Sequence, residues 1–169
     1  PILAVTGTNG KTTTVDLTVH CLNGSGKRAL AAGNIGIPLS EAVRKSASLD
    51  ALVVEVSSFQ LERVRTFTPY AAVLLNVTED HLDRYSDFND YIMTKLTMFT
   101  NMRQDKFTAM KFEFYEQISG RPEMTALLPG RPATFTSAPG NSAADFTADA
   151  GGALCGRQDG GGYEQLLAG

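Results

Sequence analysis

The residues most able to do chemistry lie within the first fourteen positions. An apolar run over residues 2–5 leads into residues 6–14, which read Thr-Gly-Thr-Asn-Gly-Lys-Thr-Thr-Thr. A strand, a glycine loop, a Lys-Thr pair and a helical pattern, in that order, are typical of a phosphate-binding loop. The glycines let backbone N–H groups face a phosphate, and the helix start adds a favourable dipole. The sequence therefore predicts a nucleotide phosphate site here.

Each polar residue of this loop has an expected role. Lys11 would reach the terminal phosphates, and the Thr12 hydroxyl would bind Mg²⁺. The strict motif has a glycine where Val5 stands, so an ordinary glycine turn before a helix is the alternative. The Lys-Thr pair at the helix start and the preceding strand favour the phosphate loop. The residues expected to contact the nucleotide are Gly7, Thr8, Asn9, Gly10, Lys11, Thr12 and Thr13.

Length and composition exclude several classes of protein. The chain has 169 residues, a net charge of −3, 43% hydrophobic residues and 20% charged residues. The negative charge argues against a nucleic-acid partner, and no apolar run approaches the roughly 20 residues of a membrane span. Cys21 and Cys155 lack ligand-like spacing, so we expect reduced thiols in a cytoplasmic protein. Because the predicted first strand follows Pro1 directly, we expect a piece of a longer protein.

The elements that position these residues alternate between strand and helix. Strands are predicted over residues 2–6, 28–32, 51–56, 71–75 and 107–115, and helices over residues 12–22, 39–46 and 87–99. This alternation predicts an α/β fold of the P-loop type, with a mostly parallel sheet flanked by helices.

The last fifty residues have a different composition. Residues 120–169 hold 10 of the 16 glycines. Short strands over residues 133–136 and 144–147, with hairpins near residues 151–152 and 160–162, predict a small antiparallel C-terminal subsheet or flap. A flexible tail is the alternative.

Glu55 is the first candidate ligand outside the loop. It stands near the end of an otherwise apolar predicted strand, where a carboxylate is costly unless it is paired or bound to a metal. Parallel strands bring their carboxyl ends to one edge of the sheet, where ligands bind. A Mg²⁺ ion held between Glu55 and a nucleotide would explain this residue, and a paired structural acid is the alternative.

His81 lies at the end of the next predicted strand, among Glu79, Asp80 and Asp83. Neighbouring carboxylates could orient its imidazole or bind a metal directly. A structural histidine is the alternative, but the strand-end position favours a role in a site.

Lys95 falls on the apolar stripe of the predicted helix over residues 87–99. A lysine facing the core has a lowered pKa, and its neutral amine can act as a nucleophile or take up CO₂ to form a metal-binding carbamate. A side chain that extends to the surface is equally compatible with the pattern. The other residues of the stripe are Phe88, Tyr91, Ile92, Leu96 and Phe99.

Four segments together resemble the Mur ligase superfamily, the ATP-dependent amide-forming enzymes of peptidoglycan synthesis. They are residues 7–12, 33–36, 55–61 and 76–85, and the resemblance covers residues 2–100. The string Ser-Ser-Phe-Gln-Leu at residues 57–61 is similar to the ligases that add D-glutamate to UDP-N-acetylmuramoyl-L-alanine. This string and residues 80–85 argue against a related ligase such as folylpolyglutamate synthase.

The resemblance implies a domain organisation. Members have a UDP-binding domain, a central ATP-binding domain and an amino-acid-binding domain, and residues 1–169 resemble the central one alone. The N-terminal and C-terminal domains are therefore expected to be absent from this chain. Residues 109–114 depart from the family pattern, which has an apolar strand ending in Asn-x-Asp-Asp. A nucleotide-binding module that cannot complete the reaction is the alternative function.

The resemblance also implies site roles. ATP would phosphorylate the alanyl carboxylate, and the D-glutamate amine would attack the acyl phosphate. Lys11, Thr12 and Glu55 would serve ATP and one Mg²⁺ ion, whereas His81 and carbamylated Lys95 would serve a second. Catalysis would fall to Lys11, His81 and Lys95. The residues expected at the muramoyl-alanine end are Asn34, Ser57 and Gln60.

Overall fold

The strands of this chain form one mostly parallel sheet. A computed structural model describes residues 1–139, 141, 143–148, 154–158 and 163–167. Within these residues the sheet has nine strands in the order β2-β3-β1-β4-β5-β6-β7-β8-β9. The strands are β1 Ile2–Thr6, β2 Ala29–Gly33, β3 Ala51–Glu55, β4 Ala71–Leu74, β5 Phe107–Lys111, β6 Ala133–Phe135, β7 Phe146–Ala148, β8 Leu154–Arg157 and β9 Tyr163–Leu167.

Helices connect the parallel strands. They are α1 Lys11–Gly24, α2 Leu39–Arg44, α3 Ser58–Leu61, α4 Phe88–Leu96, α5 Phe112–Ser119 and α6 Pro122–Thr125, with short 3₁₀ helices at Ser46–Ser48 and Thr97–Phe99. None of the helices in the described residues combines the length and apolar character needed to cross a bilayer. The predicted α/β fold is confirmed.

Both faces of the central strands are covered, as expected for a parallel sheet. All five residues of β3 are buried. Leu52 and Val54 belong to the larger apolar core, whereas Val53 packs with Val15 of α1 on the opposite face. Because successive side chains of a strand point to opposite faces, an uninterrupted apolar run is what such a strand requires.

The C-terminal part is antiparallel, as predicted, and it extends the same sheet. β7 is parallel to β6, but β8 runs antiparallel to β7 and β9 runs antiparallel to β8. The strand predicted over residues 144–147 begins two residues later, at Phe146. The hairpin turns predicted near residues 151–152 and 160–162 lie outside the described residues.

One strand prediction was wrong in its second half. The strand expected over residues 107–115 ends at Lys111, and α5 begins at Phe112. The phenylalanines at positions 112 and 114 imitate the alternation of a strand. However, the buried residues of α5 are Phe114 and Ile118, which are four apart and therefore share one helical face.

Candidate active site

The phosphate-type loop connects β1 to α1, and its backbone adopts positive φ angles that favour glycine at two positions. Gly7 has φ of 154° and Gly10 has φ of 82°. A Cβ atom at Gly7 would lie 3.1 Å from Cβ of Leu75. Gly10 is the N-cap of α1, and the first turn of this helix contains no acidic residue. The positive end of the helix dipole therefore faces the loop without an acidic residue of that turn against it.

The Lys11 side chain folds back onto the loop and hydrogen-bonds to its backbone. Its Nζ donates hydrogen bonds to the carbonyl oxygens of Gly7, at 2.9 Å, and Thr8, at 2.8 Å. Three of the residues predicted to bind nucleotide thus form one compact unit. Thr13 is exposed in the first turn of α1.

A second group, here called the carboxylate corner, consists of Thr12, Asn34 and Glu55. Thr12 Oγ1 donates to Glu55 Oε2 at 2.8 Å, and Asn34 Nδ2 donates to Glu55 Oε1 at 2.9 Å. Glu55 is only 2% exposed. No ion pair of the described residues involves it, and its partners are the neutral groups of Thr12 and Asn34. The metal-ligand role of Glu55 and the alternative of a paired structural acid both stay predictions.

The carboxylate corner fits a hard divalent cation. Carboxylate and hydroxyl oxygens are the ligands that Mg²⁺ prefers, and it uses few protein ligands beside nucleotide phosphates and water. Thr12 and Glu55 supply one oxygen of each kind, already adjacent at the start of α1. Across the described residues no group of three or more His, Cys, Asp and Glu side chains is placed to hold a metal.

A third group, the lysine corner, consists of Lys11, Lys95 and the Gly7 carbonyl. Lys95 is 2% exposed, and its Nζ donates to the Gly7 oxygen at 3.1 Å. The same ammonium lies 4.5 Å from the centre of the Tyr91 ring. The alternative of a lysine that extends to the surface is therefore wrong.

Burial and, to a smaller extent, the positive charge of Lys11 lower the pKa of Lys95 to about 8, against an opposing effect of Asp80. At pH 7 a lysine with this pKa is neutral in about a tenth of the molecules. A neutral amine is the form that can act as a nucleophile or take up CO₂.

His81 occupies a more open position than Lys95. Its imidazole Nε2 lies 3.4 Å from Asp80 Oδ2, and its side chain is 45% exposed. Its ring centre lies 4.8 Å from that of Phe59 in α3. Neither contact is with a member of the lysine corner or the carboxylate corner, so its role in a metal site stays a prediction.

Two predicted substrate residues form the cap of a helix. Ser57 Oγ accepts from the Gln60 backbone N–H at 3.3 Å, and Gln60 Oε1 accepts from the Ser57 backbone N–H at 3.0 Å. This reciprocal arrangement is a capping box for α3. Gln60 and Glu55 also line one cavity of about 110 Å³, so the capping role does not remove Gln60 from the site.

Asn76 holds the phosphate loop in place, although the sequence reasoning gave it no role. Its Oδ1 accepts from the backbone N–H groups of Thr8, at 3.1 Å, and Asn9, at 2.8 Å. Its Nδ2 donates to the Asn9 carbonyl at 3.0 Å. A polar side chain at the end of β4 was the available signal, because this edge of a parallel sheet is where ligands bind.

Thr8 connects the loop to the far side of the site. Its hydroxyl accepts from the Thr78 backbone N–H at 3.1 Å and lies 3.4 Å from the Tyr91 hydroxyl. Tyr91 was predicted only as an apolar stripe residue. Its ring beneath Lys95 and its hydroxyl near Thr8 place it between the helix and the loop.

Comparison with known sequences gives a consistent result. Residues 5–118 match the family model described as Mur ligase middle domain. Two relatives, from Citrifermentans bemidjiense and Rickettsia prowazekii, are both named UDP-N-acetylmuramoylalanine–D-glutamate ligase. They are 49% identical to this chain over 113 and 111 residues, respectively. The matched parts are 67% and 66% of this chain but 25% and 24% of those proteins, so the chain spans about a quarter of their length.

Solved structures share the fold at lower identity. A UDP-N-acetylmuramoyl-L-alanyl-D-glutamate–2,6-diaminopimelate ligase has a TM-score of 0.68 and 20% identity, and the match covers 95% of this chain and 37% of that one. The MurF ligase from Thermotoga maritima in complex with ADP has a TM-score of 0.63 and 19% identity over 98% of this chain and 38% of that one. E. coli FolC in complex with DHPP and ADP has a TM-score of 0.65 and 17% identity over 99% of this chain and 48% of that one.

Proposed function

The chain belongs to the Mur ligase middle domain family, and from this premise we propose that it is the ATP-binding domain of a D-glutamate-adding ligase. The whole enzyme would join D-glutamate to UDP-N-acetylmuramoyl-L-alanine at the expense of ATP. The 49% identity to relatives that bear this name supports the choice of substrate. Residues 1–169 would be the central domain, and the UDP-binding and amino-acid-binding domains would flank it.

The observation that carries this proposal is the junction of the phosphate loop with the carboxylate corner. Thr12 follows Lys11 at the start of α1, and its hydroxyl reaches the buried Glu55 carboxylate at 2.8 Å. Lysine, helix N-terminus and backbone N–H groups suit the phosphates, whereas Thr12 and Glu55 suit the Mg²⁺ ion that accompanies them. When bound, that ion would neutralise charge on the terminal phosphates.

The proposed reaction activates a carboxylate. An oxygen of the alanyl carboxylate attacks the terminal phosphorus of ATP, which forms an acyl phosphate and releases ADP. The D-glutamate amine then attacks the acyl carbon, and phosphate leaves from the tetrahedral intermediate while the amine loses a proton. Phosphoryl transfer of this kind depends mainly on positioning and charge stabilisation. Lys11 would supply positive charge to the transferred phosphoryl group.

Lys95 and His81 would serve the acyl-transfer side of the site. Carbamylation of the Lys95 amine would replace a buried cation with an anion that binds a second Mg²⁺ ion, with His81 near it. The depressed pKa of Lys95 supports this proposal because only the neutral amine takes up CO₂. Asn34, Ser57 and Gln60 would line the muramoyl-alanine end.

Nucleotide binding is the part of this function that the chain should perform by itself. Mg-ATP titrated into the chain by calorimetry should bind weakly, and Lys11→Ala should weaken binding about 100-fold, because charge-assisted hydrogen bonds contribute about 1.5–3 kcal/mol each. Lys27→Ala, at an exposed position, is the matched control. Equal affinities for the wild type and Lys11→Ala would contradict a phosphate role. We expect no amide product from this chain alone, and turnover by the pure chain would refute that expectation.

The substrate is tested in a longer enzyme. Residues 5–118 of this chain should replace the matching segment of the Citrifermentans ligase without loss of D-glutamate addition. The same chimera carrying Lys11→Ala should form no product by mass spectrometry. A chimera that folds and binds Mg-ATP but adds no D-glutamate, although the flanking domains of the Citrifermentans ligase are intact, would overturn the D-glutamate assignment alone.

A further inference from the structure

We propose that Glu62 is a positioning residue which holds the His81-bearing loop against α3 through Arg84 and Tyr85. This inference rests on the proposed function, in which His81 serves the reaction. The loop in question, residues 75–87, connects β4 to α4 and is here called the His81 loop. Glu62 itself is the C-cap residue of α3.

Glu62 joins two residues of the His81 loop at once. Arg84 Nε donates to Glu62 Oε1 at 2.8 Å, and the second guanidinium nitrogen donates to Oε2 at 2.6 Å. The Tyr85 hydroxyl also donates to Oε1 at 2.8 Å. A two-point arginine–carboxylate pair fixes orientation as well as distance. These hydrogen bonds, those from Arg84 first, lower the pKa of Glu62 to about 2.

Arg84 and His81 both contact the ring of Phe59, so the position of Arg84 constrains that of His81. The guanidinium carbon lies 4.9 Å from the centre of the Phe59 ring, and the His81 ring lies 4.8 Å from the same centre. Arg84 N–H also donates to the His81 carbonyl at 2.9 Å, which closes a tight turn. Phe59 belongs to α3, so the imidazole is held against the helix that carries the Ser57–Gln60 cap.

The backbone of His81 shows why such a constraint is needed. Its φ of 55° lies in the left-handed region. Residues other than glycine adopt this region at a cost, and they persist there only when the surrounding structure holds them. Glu62 and Arg84 supply contacts of that kind on the α3 side of the loop.

Tyr85 extends the constraint to the lysine corner. Its side chain is 8% exposed, and its ring centre lies 5.1 Å from that of Tyr91. Tyr91 in turn contacts the Lys95 ammonium. The Glu62 carboxylate therefore links the position of His81 to α4, the helix that carries Lys95. An isolated surface ion pair would not link two such elements.

Nuclear magnetic resonance of the imidazole groups tests the inference directly. The chain has two histidines, His20 and His81, so a His20→Gln variant assigns both signals. In the wild type the His81 ring protons should be displaced by the Phe59 ring current. Glu62→Gln should move the His81 signals toward the positions of an exposed imidazole and leave the His20 signals unchanged. Glu41→Gln, in an exposed pair with Lys45, is the matched control.

A charge-reversal variant distinguishes a positioning role of Glu62 from a general effect on protein stability. The double variant Glu62→Arg with Arg84→Glu restores an ion pair of reversed polarity and should return the His81 signals toward their wild-type positions. Arg84→Met carries the same test if Glu62→Gln fails to fold. Unchanged His81 signals in a folded Glu62→Gln or Arg84→Met variant would overturn the inference.

A second measurement, with paramagnetic Mn²⁺, distinguishes this inference from the proposed function. Mn²⁺ with ATP should broaden the His81 signals of the wild type, and this broadening should be weaker in Glu62→Gln. Absence of broadening in a wild type that binds Mn²⁺-ATP would contradict the metal role of His81. It would leave the metal-free displacement of the signals as the independent measure of positioning by Glu62.

Discussion

The carboxylate corner and the lysine corner both adjoin the phosphate loop, and they handle buried charge differently. Glu55 accepts hydrogen bonds from two neutral groups, those of Thr12 and Asn34. Lys95 donates to a single carbonyl, that of Gly7, and Lys11 donates to the same atom. Burial and, after it, the like charge of Lys11 act together on Lys95, and its pKa falls to about 8.

The difference shows what each corner can accept. A buried anion held by neutral donors is complementary to a cation, whereas two ammonium groups at one carbonyl are complementary to an anion. Mg-ATP is a cation joined to a polyanion, and the loop places the two corners next to one another. The comparison therefore predicts three separable effects of substitution. One arises from the backbone next to Glu55, one from the charge on Lys95, and one from the loop between the corners.

The largest effect is expected from Gly33→Ala, which disturbs the carboxylate corner through its backbone. Gly33 has φ of 111°, and a Cβ atom there would lie 2.2 Å from the Glu55 carbonyl oxygen. Because the strand backbone cannot yield cheaply, the free energy of unfolding should fall by about 4 kcal/mol in urea titrations. Gly24→Ala, at a helical position with open space, should be neutral or slightly stabilising. Equal stability of Gly33→Ala and the wild type would contradict this geometry.

The second effect concerns the lysine corner and has the opposite sign. Lys95→Met removes the cost of burying a charge, which a pKa shift from 10.5 to about 8 sets at up to about 3 kcal/mol. The gain in the free energy of unfolding should be fully present below pH 8. Between pH 8 and 10.5 the unfolded state binds more protons at Lys95 than the folded state does, so wild-type stability rises there and the gain disappears.

Urea titrations of the wild type and Lys95→Met from pH 7 to pH 10.5 measure this difference. Lys45→Met, at a side chain that is 57% exposed, should show no comparable trend. A Lys95→Met variant that is less stable than the wild type by the same amount at every pH would refute the buried-charge account.

The smallest effect is expected from Asn76→Ala, which acts on the loop between the corners. Loss of its hydrogen bonds to the Thr8 and Asn9 N–H groups should lower the free energy of unfolding by about 1–2 kcal/mol and weaken Mg-ATP binding about tenfold. Hydrogen exchange of those two amides should accelerate. Asn101→Ala removes hydrogen bonds to the Arg65 and Phe67 carbonyls and should leave Mg-ATP binding unchanged. Equal Mg-ATP affinity in both variants would mean that the loop holds its shape without Asn76.

Much of the fold could be predicted because the decisive signals are local. The apolar run of β3 and the glycine loop after β1 can each be recognised from a few consecutive residues. The helix α5 could not be separated from a strand, since Phe112 and Phe114 satisfy both patterns over a short distance. Only the packing of Phe114 and Ile118 on one face decides between them.

The candidate site was predictable to the extent that chemistry follows residue type. Glu55 and Lys95 stood out because charged residues are rarely placed among apolar ones. The partners of Asn76 and Glu62 were not predictable, because asparagine and glutamate are ordinary at the ends of strands and helices and their positions alone do not say what they contact. Their partners lie 67 and 22 residues away in the sequence, and only the tertiary structure brings them together.

The sequence by itself determined the α/β fold, the phosphate loop and the family resemblance, because each depends on residue types at short fixed spacings. The tertiary structure decided how the charges are shared. It placed Glu55 between two neutral donors, directed Lys11 and Lys95 to one carbonyl, and kept His81 on Phe59 at the surface. Burial and long-range hydrogen bonds set those outcomes, and neither is encoded in the spacing of residues along the chain.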